Sequence, residues 1–158
     1  IKQIAAVVVS AGAGNDGDLV ALDASGKLDA SVLPAGVGQN SITATASEAL
    51  AAGDLVNLYN VTGTLTMRKA DATAEGKECH GFVKAAVANA ATGTVFTSGN
   101  ILTGLTGLTP GARQYLSTTP GARTETPPAT AGNVVQMLGV SAGATSLAFE
   151  PEEPITVA

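Results

Sequence analysis

Residue types able to do chemistry are sparse in this chain, so each can be weighed singly. Cys79 and His80 are the one cysteine and the one histidine, and they are neighbours. A nucleophile and its base must face each other, whereas adjacent residues on a strand point to opposite faces. The spacing therefore supports one packed thiol and one polar imidazole. A structural zinc centre takes about four Cys or His ligands, more than the chain owns. Asn15-Asp16-Gly17-Asp18 has the oxygen density of a calcium loop but lacks the spaced acidic ligands and closing Glu of an EF-hand. It reads as a turn. AGAGNDGD (11–18) lacks the Gly-Lys-Ser/Thr ending of a phosphate loop, and EPEEP (150–154) reads as a solvated acidic edge. No catalytic residue, metal or cofactor is expected, and the chain is not expected to be an enzyme. A small cell-wall hydrolase built on Cys79, His80 and the aspartates is the competing reading.

A second candidate is TPGAR, which occurs at 109–113 and again at 119–123. As a ligand loop it should open a helix and lead to a Lys or an acidic partner. Instead the strand-like QYLST follows the first copy, and Pro127–Pro128 follow the second. Thr-Pro-Gly-Ala suits a type II turn, with Pro supplying φ near −65° and Gly supplying positive φ. Two turns bracketing one strand are expected. Arg113 and Arg123, the cations of an otherwise nearly neutral half, are candidate subunit contacts.

The elements that position these residues follow from composition and pattern. The 158 residues carry a net charge of −5, which gives a nucleic-acid surface little support. Charged residues make up 13%, against roughly 25% in an ordinary soluble domain. The surface must then be rich in Thr, Ser, Gly, Asn and Ala, which suits packing against neighbouring subunits. Aromatics are limited to Tyr59, Phe82, Phe96, Tyr115 and Phe149, so a Val/Leu/Ile/Ala core gains less per residue. The apolar run Ile4–Val9 is too short to span a bilayer, and no membrane partner is expected.

Residues 1–40 read as an arm or linker, with a turn at Asp23-Ala-Ser-Gly26. Asp29 is placed to cap one helical turn, Ala30 to Leu33, ended by Pro34. Gly36 and Gly38 mark the boundary. Leu19, Val20, Leu22, Leu28, Val32 and Leu33 are its adhesive residues. From residue 41 to 158 short apolar runs alternate with turn signals, as in a sandwich or barrel. DLVNLY (54–59), the turn NVTG (60–63) and TLTMR (64–68) form a hairpin, with Leu65 and Met67 on one face. HGFVKAAVA (80–88) and GTVFTSG (93–99) are the next strands. SEALAAG (47–53) is either a short helix or an extended lead-in with a turn at Gly53. In TSLAFE, Thr145, Leu147 and Phe149 share a face. The fold class expected is all-β: a β-sandwich or β-barrel domain (41–158) preceded by an extended N-terminal arm.

The phrase GDLVALDASGKLDASVLP (17–34) resembles linker phrases of tailed-bacteriophage structural proteins. The remainder is similar to a β-domain of phage virion proteins, at Gly53–Asp54, Gly81–Val83, Leu108–Ser117, Pro120–Gly121 and Val135–Gly139. Each motif is turn-and-strand punctuation; their order over most of the chain carries the likeness. The family it resembles is that of capsid decoration (cement) proteins and head-fibre-type β-domains. The resemblance implies a structural virion protein on the outer surface of the capsid, binding the major capsid protein across neighbouring capsomers as a homo-oligomer, a trimer. Its six apolar arm residues would make the capsid contact. The alternative it leaves open is a head-fibre or tail-fibre module used in anchoring or host attachment.

Overall fold

The computed structural model describes residues 6–29, 32–33 and 40–158. The chain is all-β and divides into two compact units, residues 1–38 and 39–158. The expected stop at Pro34, Gly36 and Gly38 lies outside the described residues, as does the first half of the helical turn assigned to 30–33.

In the first unit β1 (Ala6–Val7) runs parallel to β2 (Leu19–Val20), with a 3₁₀ turn at Gly12–Asn15 between them. The Asp23 turn forms as its sequence dictates. Asp23 Oδ1 accepts the N–H groups of Ser25 at 2.8 Å and Lys27 at 2.9 Å, and Gly26 takes φ +75°. The Ser25 hydroxyl and these N–H groups hold the Asp23 carboxyl below its ordinary pKa.

The second unit begins with five strands closed into a barrel. They are β3 (Ser41–Ala46), β4 (Leu55–Val61), β5 (Thr64–Lys69), β6 (Gly81–Val83) and β7 (Thr92–Phe96), in the order β3-β5-β4-β6-β7. Closure depends on a parallel contact, Thr45 with Thr66 and Ala46 with Met67. Val56, Met67, Val83, Val95 and the small Ala44 and Ala46 fill the interior. The β4–β5 hairpin turns on two residues, not four. Thr62 and Gly63 have φ +47° and +86°, the primed geometry that matches strand twist. Asn60 and Val61 stay in the ladder opposite Leu65 and Thr64. Leu65 is thereby left at the hairpin tip, 44% exposed, while Met67 is fully buried.

The strand expected over 80–88 stops at Val83. Val87 instead makes an antiparallel bridge to Leu50, and Gly93 leaves it room, since a Cβ there would lie 2.6 Å from Val87. Residues 47–53 form no helix; the extended lead-in ends in a turn at Gly53, φ +88°.

A five-stranded antiparallel sheet follows, in the order β10-β9-β12-β13-β8. Its strands are β8 (Asn100–Thr103), β9 (Arg113–Leu116), β10 (Arg123–Thr124), β12 (Met137–Gly143) and β13 (Ser146–Phe149). A short pair, β11 (Val134–Val135) with β14 (Ile155–Thr156), completes the unit. The inner face carries Leu102, Leu116, Leu138, Leu147 and Phe149, all at most 1% exposed. It packs on the outside of the barrel at Leu55, Ala70, Ala72 and Phe82. Leu147 and Phe149 share that face as alternation requires.

Both TPGAR copies are turns. Ala112 N–H bonds to Thr109 O at 3.0 Å and Ala122 N–H to Thr119 O at 3.1 Å, with Gly111 at φ +81° and Gly121 at φ +76°. The first leads into β9 and the second makes the β9–β10 hairpin. The second also fastens the sheet to the barrel: Gly121 N–H donates to Ala70 O at 2.8 Å, and Gly121 O accepts from Leu55 N–H at 3.0 Å.

Gly139 sits where β12 breaks register, at φ +127°, and a Cβ there would meet Ala148 O at 2.0 Å. Gly139→Ala is expected to cost about 3 kcal/mol or more, from strain and overlap together. Gly132→Ala has positive φ but open space, so about 1 kcal/mol is expected. Urea melts of the two variants check the difference.

Candidate functional site

The chemistry-bearing residues are separated by the fold. Cys79 is 1% exposed within the apolar layer between barrel and sheet, and burial pushes its thiol pKa up to about 12. Its Sγ contacts Gly81 O at 3.3 Å. His80 is exposed, and its Nδ1 accepts the Leu58 N–H at 2.9 Å. That bond assigns the neutral proton to Nε2. The imidazole therefore serves the β4 backbone and does not face the thiol.

The surroundings of His80 form a polar network that holds the loop after β5. Buried Asn57 donates to Glu78 O at 2.8 Å and accepts from Arg68 Nε at 3.0 Å. Arg68 also donates to Gly76 O at 2.6 Å, and its guanidinium lies 4.4 Å over the Tyr59 ring. Asp71, 4% exposed, anchors the loop's start. It takes the N–H of Thr73 at 3.0 Å, the Thr73 hydroxyl, and Lys77 Nζ at 3.0 Å. Burial alone would raise the Asp71 pKa; Thr73 and Lys77 outweigh it and hold the carboxyl below its ordinary value.

Beside this network lies an open cleft of about 430 Å³, lined in part by Asn40, Glu78, His80, Gln136, Glu152 and Glu153. Its rim is acidic, and one imidazole stands among the carboxylates. Among the described residues no three His, Cys, Asp or Glu side chains cluster to hold a metal ion. The cleft's floor holds a residue whose role the strand pattern did not reveal. Gln136, 4% exposed, accepts the Cys79 N–H at 2.8 Å and donates to Cys79 O at 3.0 Å and Glu152 O at 3.2 Å. Its amide acts as a strand rung between the sheet and the barrel. A polar residue inside the apolar run NVVQMLGV was the available signal.

The two arginines have different surroundings. Arg123 is half-buried; its Nη2 donates to Thr106 O at 3.2 Å, and its buried Nε has no hydrogen-bond partner among the described residues. Burial lowers its pKa, with Glu125 opposing. Glu125 is itself tied to Thr109 N–H at 2.8 Å and to buried Gln114 at 3.1 Å. Arg113 is exposed on the outer face of the sheet, in register with Val140. The other cations of this unit are engaged: Lys69 with Asp54 at 3.4 Å, Lys77 with Asp71 at 3.0 Å, Lys84 over Phe96 at 4.2 Å, and Arg68 as above.

Of the arm residues, Leu19 and Val20 form β2 and are 62% and 53% exposed. Leu22 and Leu28 are 57% and 50% exposed, and Val9 adds a further 62%. Val32 and Leu33 are half-buried.

Comparison of the chain with protein-family models, curated proteins and solved structures finds no match.

Gln136→Leu leaves the Cys79 N–H and C=O buried without partners, and a loss of about 2–4 kcal/mol is expected in chemical denaturation. For Asp71 the sign follows from a folded pKa held below 3.8. Its contribution is present above that value and is lost as pH falls through the lowered one. Wild type should therefore out-melt Asp71→Asn at neutral pH, and the gap should close below pH 3.8.

Proposed function

We propose that the chain is a structural virion protein that decorates a phage capsid, with residues 1–40 making the capsid contact. One observation carries this reading. Leu19, Val20, Leu22, Leu28 and Val9 stand 50–62% exposed on a small unit held by two strands of two residues each. A two-stranded sheet is marginal in water by itself, and so many exposed apolar side chains on so small a unit favour a partner that covers them. The second unit, by contrast, has its own two apolar cores. It is a self-sufficient body. The likeness of the motif order to phage virion proteins supports the major capsid protein as that partner.

Covering those five side chains offers apolar gain on the order of 25 cal/mol per Å². Ordering the arm costs about 1–2 kcal/mol per residue. The balance favours an arm that tightens against a preformed capsid surface.

Removal of residues 1–38 should leave the 39–158 unit with an unchanged far-ultraviolet spectrum and abolish sedimentation with expanded capsids. Leu19→Asp with Leu22→Asp in the full chain should weaken that binding at least tenfold. Saturating binding by the truncated protein would sink the arm assignment. Gold labelling of virions on the tail, with a bare shell, would favour the fibre module instead.

A further inference from the structure

The two edges of the five-stranded sheet are finished differently. Edge β10 is two residues long, Arg123–Thr124, and runs on into Glu125 and Pro127–Pro128. Shortness, charge and proline are the devices that keep an edge from pairing with another chain. Edge β8, twice as long, carries neither charge nor proline. It is Asn100-Ile101-Leu102-Thr103, uncharged and closed at both ends by glycines at φ +84° and +79°. Among the described residues it pairs with β13 alone and makes no backbone–backbone hydrogen bond to another segment, while the Asn100 side chain at its start donates to Asn40 O and Thr97 O, both at 2.9 Å. Ile101 is 54% exposed at this open edge. Its row continues across the outer face through Ala148 and Val140 to Arg113.

We infer that β8 is a self-association surface whose partner is the β8 strand of a second copy of this chain, paired antiparallel about a two-fold axis. A strand paired with its own copy matches its outward N–H and C=O groups by symmetry. Because β8 carries no charge, self-pairing sets no like charges side by side. The antiparallel arrangement continues the sheet from five strands to ten and covers Ile101. The strand is only four residues long, so the contact falls below the roughly 1,200 Å² of a standard interface, and the association depends on concentration. The inference does not rest on the capsid reading. The contact is two-fold, so it joins two chains, or two trimers where the trimer implied by the sequence likeness exists.

Sedimentation equilibrium of the full chain over rising concentration tests this with Ile101→Lys and, as a control on the same face two strands away, Val140→Lys. Wild type and Val140→Lys should reach twice the limiting mass of Ile101→Lys. The amides of residues 100–103 should exchange more slowly as wild-type concentration rises. Equal masses for wild type and Ile101→Lys at every concentration would overturn the proposal and leave the edge free for a foreign peptide strand. A halved mass for Val140→Lys with Ile101→Lys unchanged would overturn it too, in favour of a face contact. Circular dichroism checks each fold, and Thr103→Lys replaces Ile101→Lys if that variant unfolds.

Discussion

Everything in the second unit depends on burying the outside of a small barrel against the inside of a sheet. The chain's three phenylalanines all meet there. Phe82 of β6 stacks with Phe96 at 5.8 Å and meets Phe149 of β13 edge-on at 5.2 Å. A chain with 3% aromatics concentrates its bulk at one junction, where each ring contributes far more area than an alanine or valine would. Backbone bonds then fix the register of the two layers: Gly121 on Leu55 and Ala70, and Ala72 between Ser117 and Val134. Gln136 adds a side-chain rung at the junction's edge. Apolar area supplies the attraction, and these polar contacts choose one arrangement among those the area alone would allow.

Local signals in the sequence were legible where one residue type had one physical use. Pro-Gly at 110–111 and 120–121 specified turns because only glycine accepts the required φ, and the Asp23 turn followed from a short carboxylate beside free N–H groups. Alternation placed Leu147 and Phe149 on one face. Legibility failed where a long-range contact decided the outcome. Nothing near Val83 ends its strand; distant Leu50 draws Val87 away. Leu65 has the right alternation and still lies at a tip that the core does not reach. Barrel and sandwich were also not separable from strand patterns, because both use short alternating strands. The parallel closure of β3 on β5 is a matter of topology.

The same distinction applies to the candidate site. The opposed directions of Cys79 and His80 follow from their adjacency alone. The roles of Asp71, Asn57 and Arg68 in one loop clasp do not, since their partners come from three segments and include backbone carbonyls. Low overall charge gains a structural meaning here. Most cations of this unit are engaged in loop clasps or lie over rings, which leaves broad stretches of Thr, Ser, Ala and Gly as the outer surface.

The burial of Cys79 has a practical corollary. The chain's single thiol lies in the layer that joins barrel to sheet, with its ionisation suppressed, and a buried protonated sulfur is nearly inert to electrophiles. Alkylation must wait for a fluctuation that uncovers the sulfur, which is 1% exposed at rest. The rate of labelling thus becomes a clock for the openings that expose Cys79, readable by mass alone and without adding a probe residue.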